Sequence, residues 1–144
     1  MPRALSLRCC LAIAGLFASL LTFGCGSKGP AIAKDDIDRL NKIFSAYKEA
    51  SDKLGHPPKN MDEFRGFIEK QGDPKVILRS PHDGEPYAIV WNCNLRQSIE
   101  SLPPPLVAYE QKGADGQRHI LTTMGLMTIG EEEFTSHYKL SAKK

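Results

Sequence analysis

The spacing of apolar positions changes character several times along this chain. Residues 11–23 are apolar or small and carry no charge. From residue 35 to 54, Ile37, Leu40, Ile43, Phe44, Tyr47, Ala50 and Leu54 recur at intervals of three and four. That period predicts an amphipathic helix. Asp35, Asp36 and Asp38 crowd its start, where the helix dipole favours acids, and Gly55-His56-Pro57-Pro58 stops it. A second, shorter helix is expected after Asn60, a good N-cap with Glu63 three residues on, with Phe64, Phe67 and Ile68 as its apolar face. Gln71-Gly72-Asp73-Pro74 ends it.

Beyond residue 75 the helical period gives way to short runs of strand formers. These are Val76–Leu78, Tyr87–Trp91, Leu106–Tyr109, His119–Thr123 and Leu126–Ile129. Turns at Ser80–Pro86, Gly113–Gly116 and Met124-Gly125 separate them, each with a glycine able to take a positive φ. Connections this short allow antiparallel hairpins and leave no room for parallel crossovers. Ser98–Pro105, with three consecutive prolines, is read as a stiff loop crossing to a new strand position. Glu131-Glu-Glu-Phe134 opens a short terminal helix. The expected fold class is α+β: an amphipathic N-terminal helix and a short second helix packed on a three- to five-stranded antiparallel sheet, then a short C-terminal helix. The apolar face of the long helix is assigned to the sheet rather than to a membrane, because its polar face mixes both signs.

The first 24 residues belong to another kind of segment. Arg3 and Arg8 precede the apolar run, no acid lies among them, and Gly24-Cys25 follows it. The run is shorter than the about 20 residues of a spanning helix, so the pattern is that of a secretory signal peptide. With a cysteine at the cut, it resembles a bacterial lipoprotein signal. Gly24 and Cys25 match the lipobox, while Thr22 and Phe23 depart from it. The resemblance implies removal of residues 1–24, lipidation of Cys25 and anchorage on a membrane. By resemblance to lipoprotein sorting in Gram-negative bacteria, Gly26 and Ser27, with no Asp in second place, favour the periplasmic face of the outer membrane. Residues 25–34 read as a tether, 35–138 as one α+β domain and 139–144 as a polar tail. The other readings of the leader are an uncleaved anchor and an ordinary signal peptide.

This division changes the composition. The whole chain of 144 residues carries 19 Lys+Arg against 17 Asp+Glu, and both leader arginines are lost with the signal, which leaves the mature chain neutral. A neutral domain has no electrostatic footprint for nucleic acid, so none is expected as a partner. Of the four cysteines, Cys9 and Cys10 leave with the leader and Cys25 takes the lipid. Cys93 then stands alone, with no internal disulfide framework. It can be a buried core residue, a reactive thiol or an intermolecular partner, and the buried reading is preferred.

The chemistry-bearing residues form no local motif. His56, His82, His119 and His137 make no close-spaced metal pair with one another or with Cys93. His56, His82 and His137 fall in turn or end positions and are expected in solvent, and His119 falls on a strand as a cross-strand partner. His82-Asp83 is read as part of a turn in which Asp83 caps the backbone. Tyr87, Trp91 and Tyr109 are expected to line one sheet face as core. No catalytic, metal or cofactor site is assigned. One Cys and a distant His are the bare minimum for a thiol hydrolase using Cys93.

The mature chain also resembles the globular heads of type II secretion pseudopilins and other pilin-like proteins. The likeness lies in Ala46-Tyr47 with Leu54-Gly55-His56-Pro57-Pro58 and the helix to Phe64, in Ser80-Pro-His-Asp-Gly-Glu-Pro-Tyr87, and in the hairpin Gly116–Ile129. No Gly-Phe-Thr-x-x-Glu site precedes a retained apolar helix, so the polymerising part is missing. Met124 stands where the hairpin motif often has Asp. Only Asp115 lies in the loop where such proteins bind calcium, so that site is not carried over. The expected function is that of a lipid-anchored envelope protein, non-catalytic, with an envelope protein as partner or a scaffold role. The alternatives are a pilin-like accessory of a secretion or filament system and an exported thiol hydrolase.

Overall fold

A computed structural model describes residues 32–96 and 103–138. Cys25, the leader, most of the tether and the polar tail lie outside these residues. The long helix, α1, runs Lys34–Leu54 and ends at Gly55, whose φ of 76° is the left-handed cap that glycine tolerates best. Its buried stripe is Asp36, Leu40, Ile43, Ala46, Tyr47 and Ala50. The expected stripe is therefore shifted at its start: Ile37 is exposed and Asp36 is buried in its place. Asp36 lies four residues before Leu40, on the same face as Leu40 and Ile43.

The second helix, α2, is Met61–Gln71. Asn60 Oδ1 accepts from the Glu63 N–H, and Glu63 Oε2 accepts from the Lys59 N–H. The reciprocal arm thus lands one residue before the cap. Val76 and Ile77, expected with Leu78 among the strand formers, instead lie in a short helix, α3 (Pro74–Ile77), which Leu78 caps. Asp73 caps it by accepting from the Lys75 N–H, and Pro74 occupies the first helical position, where its missing N–H costs nothing. Arg39 on α1 donates to the carbonyls of Val76 and Arg79, fastening α3 to the long helix.

Four strands follow: β1 (Tyr87–Ile89), β2 (Leu106–Glu110), β3 (Gln117–Thr122) and β4 (Gly125–Gly130). They form one antiparallel meander in the order β1-β2-β3-β4. The connection through residues 90–105 therefore joins neighbouring strands and does not cross to a new position. Strand β1 is also shorter than the run Tyr87–Trp91. Asn92 takes φ 59° and donates its N–H to Pro58 O, which turns the chain off the sheet. Trp91 packs edge-on to Phe64 of α2 instead.

Both sheet faces are covered. On one, α1 and α2 close over Tyr87, Val107, Ala108 and Leu121. On the other, the last helix, α4 (Glu131–His137), places Phe134 against a cluster with Leu106, Ile120 and Ile129, with Tyr109 alongside. Tyr87 and Tyr109 thus face opposite sides, as their register partners Glu110 and Ile120 do. No described helix is long and apolar enough to cross a membrane.

Candidate functional site

The side chains with chemistry gather at one end of the α1 face of the sheet. Glu110 ends β2 directly opposite Tyr87, and the two-residue period puts it on the same face as Ala108. That face is covered by α1, so the carboxylate is fully buried. Ser80 Oγ donates to Glu110 Oε1 at 2.5 Å, and the backbone N–H of His119 donates to Oε2 at 2.7 Å. His82 Nδ1 lies 3.2 Å and 3.0 Å from the two carboxylate oxygens. His119 Nδ1 lies 3.5 Å from Oε1 and 3.8 Å from Asp36 Oδ1, and the two imidazoles stack with centroids 4.4 Å apart.

The turn from Ser80 to Gly84 builds this corner. Ser80 Oγ accepts from the N–H groups of His82 and Asp83 while its own proton goes to Glu110. Gly84, at φ 73°, closes the turn. Asp83 caps more than its own turn: it accepts from the N–H groups of Glu85, Lys112 and Gly113, tying the 80s turn to the β2–β3 loop. Burial pushes its carboxyl pKa up, but these donors and Ser80 outweigh it and hold the pKa below the usual value.

On α1, Tyr87 donates its hydroxyl to buried Asp36 at 2.9 Å. Burial, with the Asp36 charge beside it, pushes the Tyr87 phenol well above its ordinary pKa, so it remains a donor. The guanidinium of Arg118 is directed elsewhere. It donates to the backbone carbonyls of Glu110 and Gln111 and pairs with Glu131. Among the described residues no Lys or Arg pairs with the side chain of Asp36 or Glu110.

No family model, curated protein or solved structure matches this chain.

The other candidate residues disperse. His56 contacts Pro57 O near the end of α1, and exposed His137 lies one turn from Glu133. Asp115 sits exposed in the β2–β3 turn. His82, expected in solvent, is mostly covered, because Glu110 stands beneath its turn. Cys93 is buried, and its backbone N–H donates to the Tyr47 hydroxyl. Burial raises its thiol pKa to about 11. None of the hydrogen bonds made by a described histidine reaches it.

The three residues sequence reasoning left out are Glu110, Asp36 and Ser80. Two of them had a periodic signal. Glu110 follows Ala108 at strand spacing, and Asp36 precedes Leu40, Ile43 and Tyr47 at helical spacing. Each is a carboxylate on a core-facing position, where an acid is rarely found without a partner. The side chains of His82, Glu110 and His119 bring one ligand atom apiece within 4.8 Å of one another.

Proposed function

We propose that this is an exported, lipid-anchored cell-envelope protein whose α+β domain binds a protein partner or acts as a scaffold and performs no catalysis. The anchor rests on the basic leader, the apolar run Leu11–Phe23 and Gly24-Cys25. Two or three acyl chains hold a protein on a membrane stably, where one does not. Between Cys25 and the first turn of α1 lie residues 26–33, which at full stretch reach about 25–30 Å. That length sets the domain close to the membrane surface.

The observation that carries the non-catalytic half is the state of Cys93. A thiol with a pKa of about 11 supplies almost no thiolate at neutral pH, and thiolate is the nucleophile. Burial and the absence of an imidazole partner point the same way.

Growth with radioactive palmitate should label the wild-type protein, and Cys25→Ala should abolish the label and release the protein from the membrane fraction. A wild type that takes no label rejects the anchor. Cys93→Ser should leave the cellular phenotype intact, and its loss would return the thiol hydrolase to first place.

A second reading, a pilin-like accessory of a secretion or filament system, is favoured by one observation. The long helix comes first and packs on an antiparallel meander, the order expected of a pilin-like head. Co-purification of the protein with pseudopilus components after cross-linking would support it, and recovery of none would remove it.

A further inference from the structure

We propose that His82, Glu110 and His119 bind a divalent transition metal of the zinc class beneath α1, stapling the turn before β1 to strands β2 and β3.

The first argument is an unpartnered atom. His119 is 4% exposed, yet its Nδ1 has no hydrogen-bond partner. A buried polar atom left unpaired is costly, and native structures seldom tolerate one without a ligand to satisfy it. The atom faces two carboxylates, Glu110 at 3.5 Å and Asp36 at 3.8 Å.

The second argument is charge. Asp36 and Glu110 are both buried, and no Lys or Arg among the described residues pairs with either side chain. Buried carboxylates require a partner cation or a proton. A dication held by Glu110 and the two imidazoles, with the Asp36 carboxylate 3.8 Å from His119 Nδ1, balances the two buried acids.

The third is distance and donor type. Zinc–ligand bonds of about 2.0–2.2 Å in a tetrahedron place neighbouring donors about 3.4 Å apart. His82 Nδ1 and His119 Nδ1 stand 3.2 Å and 3.5 Å from Glu110 Oε1. The imidazoles stack at 20°, so convergence of both lone pairs on one ion needs one ring to turn. His82, on a surface turn and the more exposed of the two, is the ring free to do so. Imidazole with carboxylate suits zinc and its neighbours better than calcium or magnesium, which take oxygen. Glu110 already has the outer hydrogen bonds that orient a ligating carboxylate, from Ser80 Oγ and the His119 N–H.

The elements joined explain the use. His82 comes from the turn before β1, Glu110 from β2 and His119 from β3, and Asp36 faces His119 from the covering helix α1. A small exported domain gains most from such a staple when it has no disulfide, and the described cysteine, Cys93, is free.

The test uses the full chain in detergent, stripped with chelator and titrated with zinc and with cobalt. Wild type should bind one equivalent in this site, and its Tm should rise by roughly 10 °C at a hundredfold excess of zinc over Kd. Cobalt should give the visible bands of a tetrahedral site with nitrogen and oxygen donors. His82→Asn, on the turn, should still fold, as judged by circular dichroism, and lose at least tenfold in affinity together with those bands. His119→Gln should behave alike. Absence of metal-dependent stabilisation in wild type overturns the proposal. So does a His82→Asn protein that binds as wild type does, or a cobalt spectrum carried by thiolate bands that survive His82→Asn unchanged.

Discussion

At the scale of single residues, burial decides what each titratable group can do. Cys93 carries the only described thiol, and its environment removes the thiolate. Native protein at pH 8 should therefore react with a thiol reagent at least tenfold more slowly at Cys93 than protein in denaturant. Mass spectrometry of the labelled peptide reads this, and equal rates would contradict the buried assignment. Asp83 shows the opposite case, an acid held ionised by donors. Its folded pKa lies below the unfolded value of about 3.9. The stability it adds is thus fully present above that value and is lost as pH falls through the folded pKa. Asp83→Ala should cost about 1–2 kcal/mol at pH 7, since three N–H groups lose their acceptor. The difference from wild type should shrink on titration to pH 2–3, as urea midpoints would reveal.

Among the elements, α1 is held by specific bonds as well as by its apolar stripe. The Tyr47 hydroxyl donates to Val90 O and accepts from the Cys93 N–H, which fixes the segment leaving β1 against the helix. Tyr47→Phe keeps the ring and strands both backbone groups, so a loss of about 1–3 kcal/mol is expected in urea unfolding. A neutral result would mean that water reaches both groups. The β2–β3 turn has a different constraint. A Cβ at Gly113 would stand 2.2 Å from Gln117 O, and φ is 69°. No side chain fits there without moving the strand that carries Arg118 and His119.

Across the whole molecule, one sheet serves two cores. Val107, Ala108 and Leu121 belong to the cluster under α1, while Leu106 and Ile120 belong to the one under α4. Leu106 beside Val107 on β2, and Ile120 beside Leu121 on β3, point into different clusters, so neither core can open without disturbing the strands of the other. Trp91 fluorescence, which reports the α2 side, and far-ultraviolet circular dichroism should therefore unfold with one shared midpoint. Two separated transitions would show that the layers are independent.

Much of this fold was legible from periodicity. The bounds of α1 and the cap of α2 agree with the sequence to within a residue, because amphipathic spacing and capping chemistry are local. The α+β class followed from the change of period after residue 75. Strand pairing and short helices were less legible. Val76–Leu78 looks apolar enough for a strand, but the Asp73-Pro74 start sets it as a helix turn. Which strand lies beside β1 depended on register and on α1 packing, neither of which is local.

The proposed signal at residues 1–24 and Gly24-Cys25 rests on sequence features alone, since a signal of this kind is read as an extended segment before any fold exists. The balance of acidic and basic side chains over residues 25–144 is likewise fixed by composition. The polar corner is a different matter. Asp36, His82, Glu110 and His119 are spread over 84 positions of sequence and share no motif. Period could say that Asp36 and Glu110 face inward. Only the closure of α1 over the meander could bring them to the same end of one face, because that depends on long-range packing.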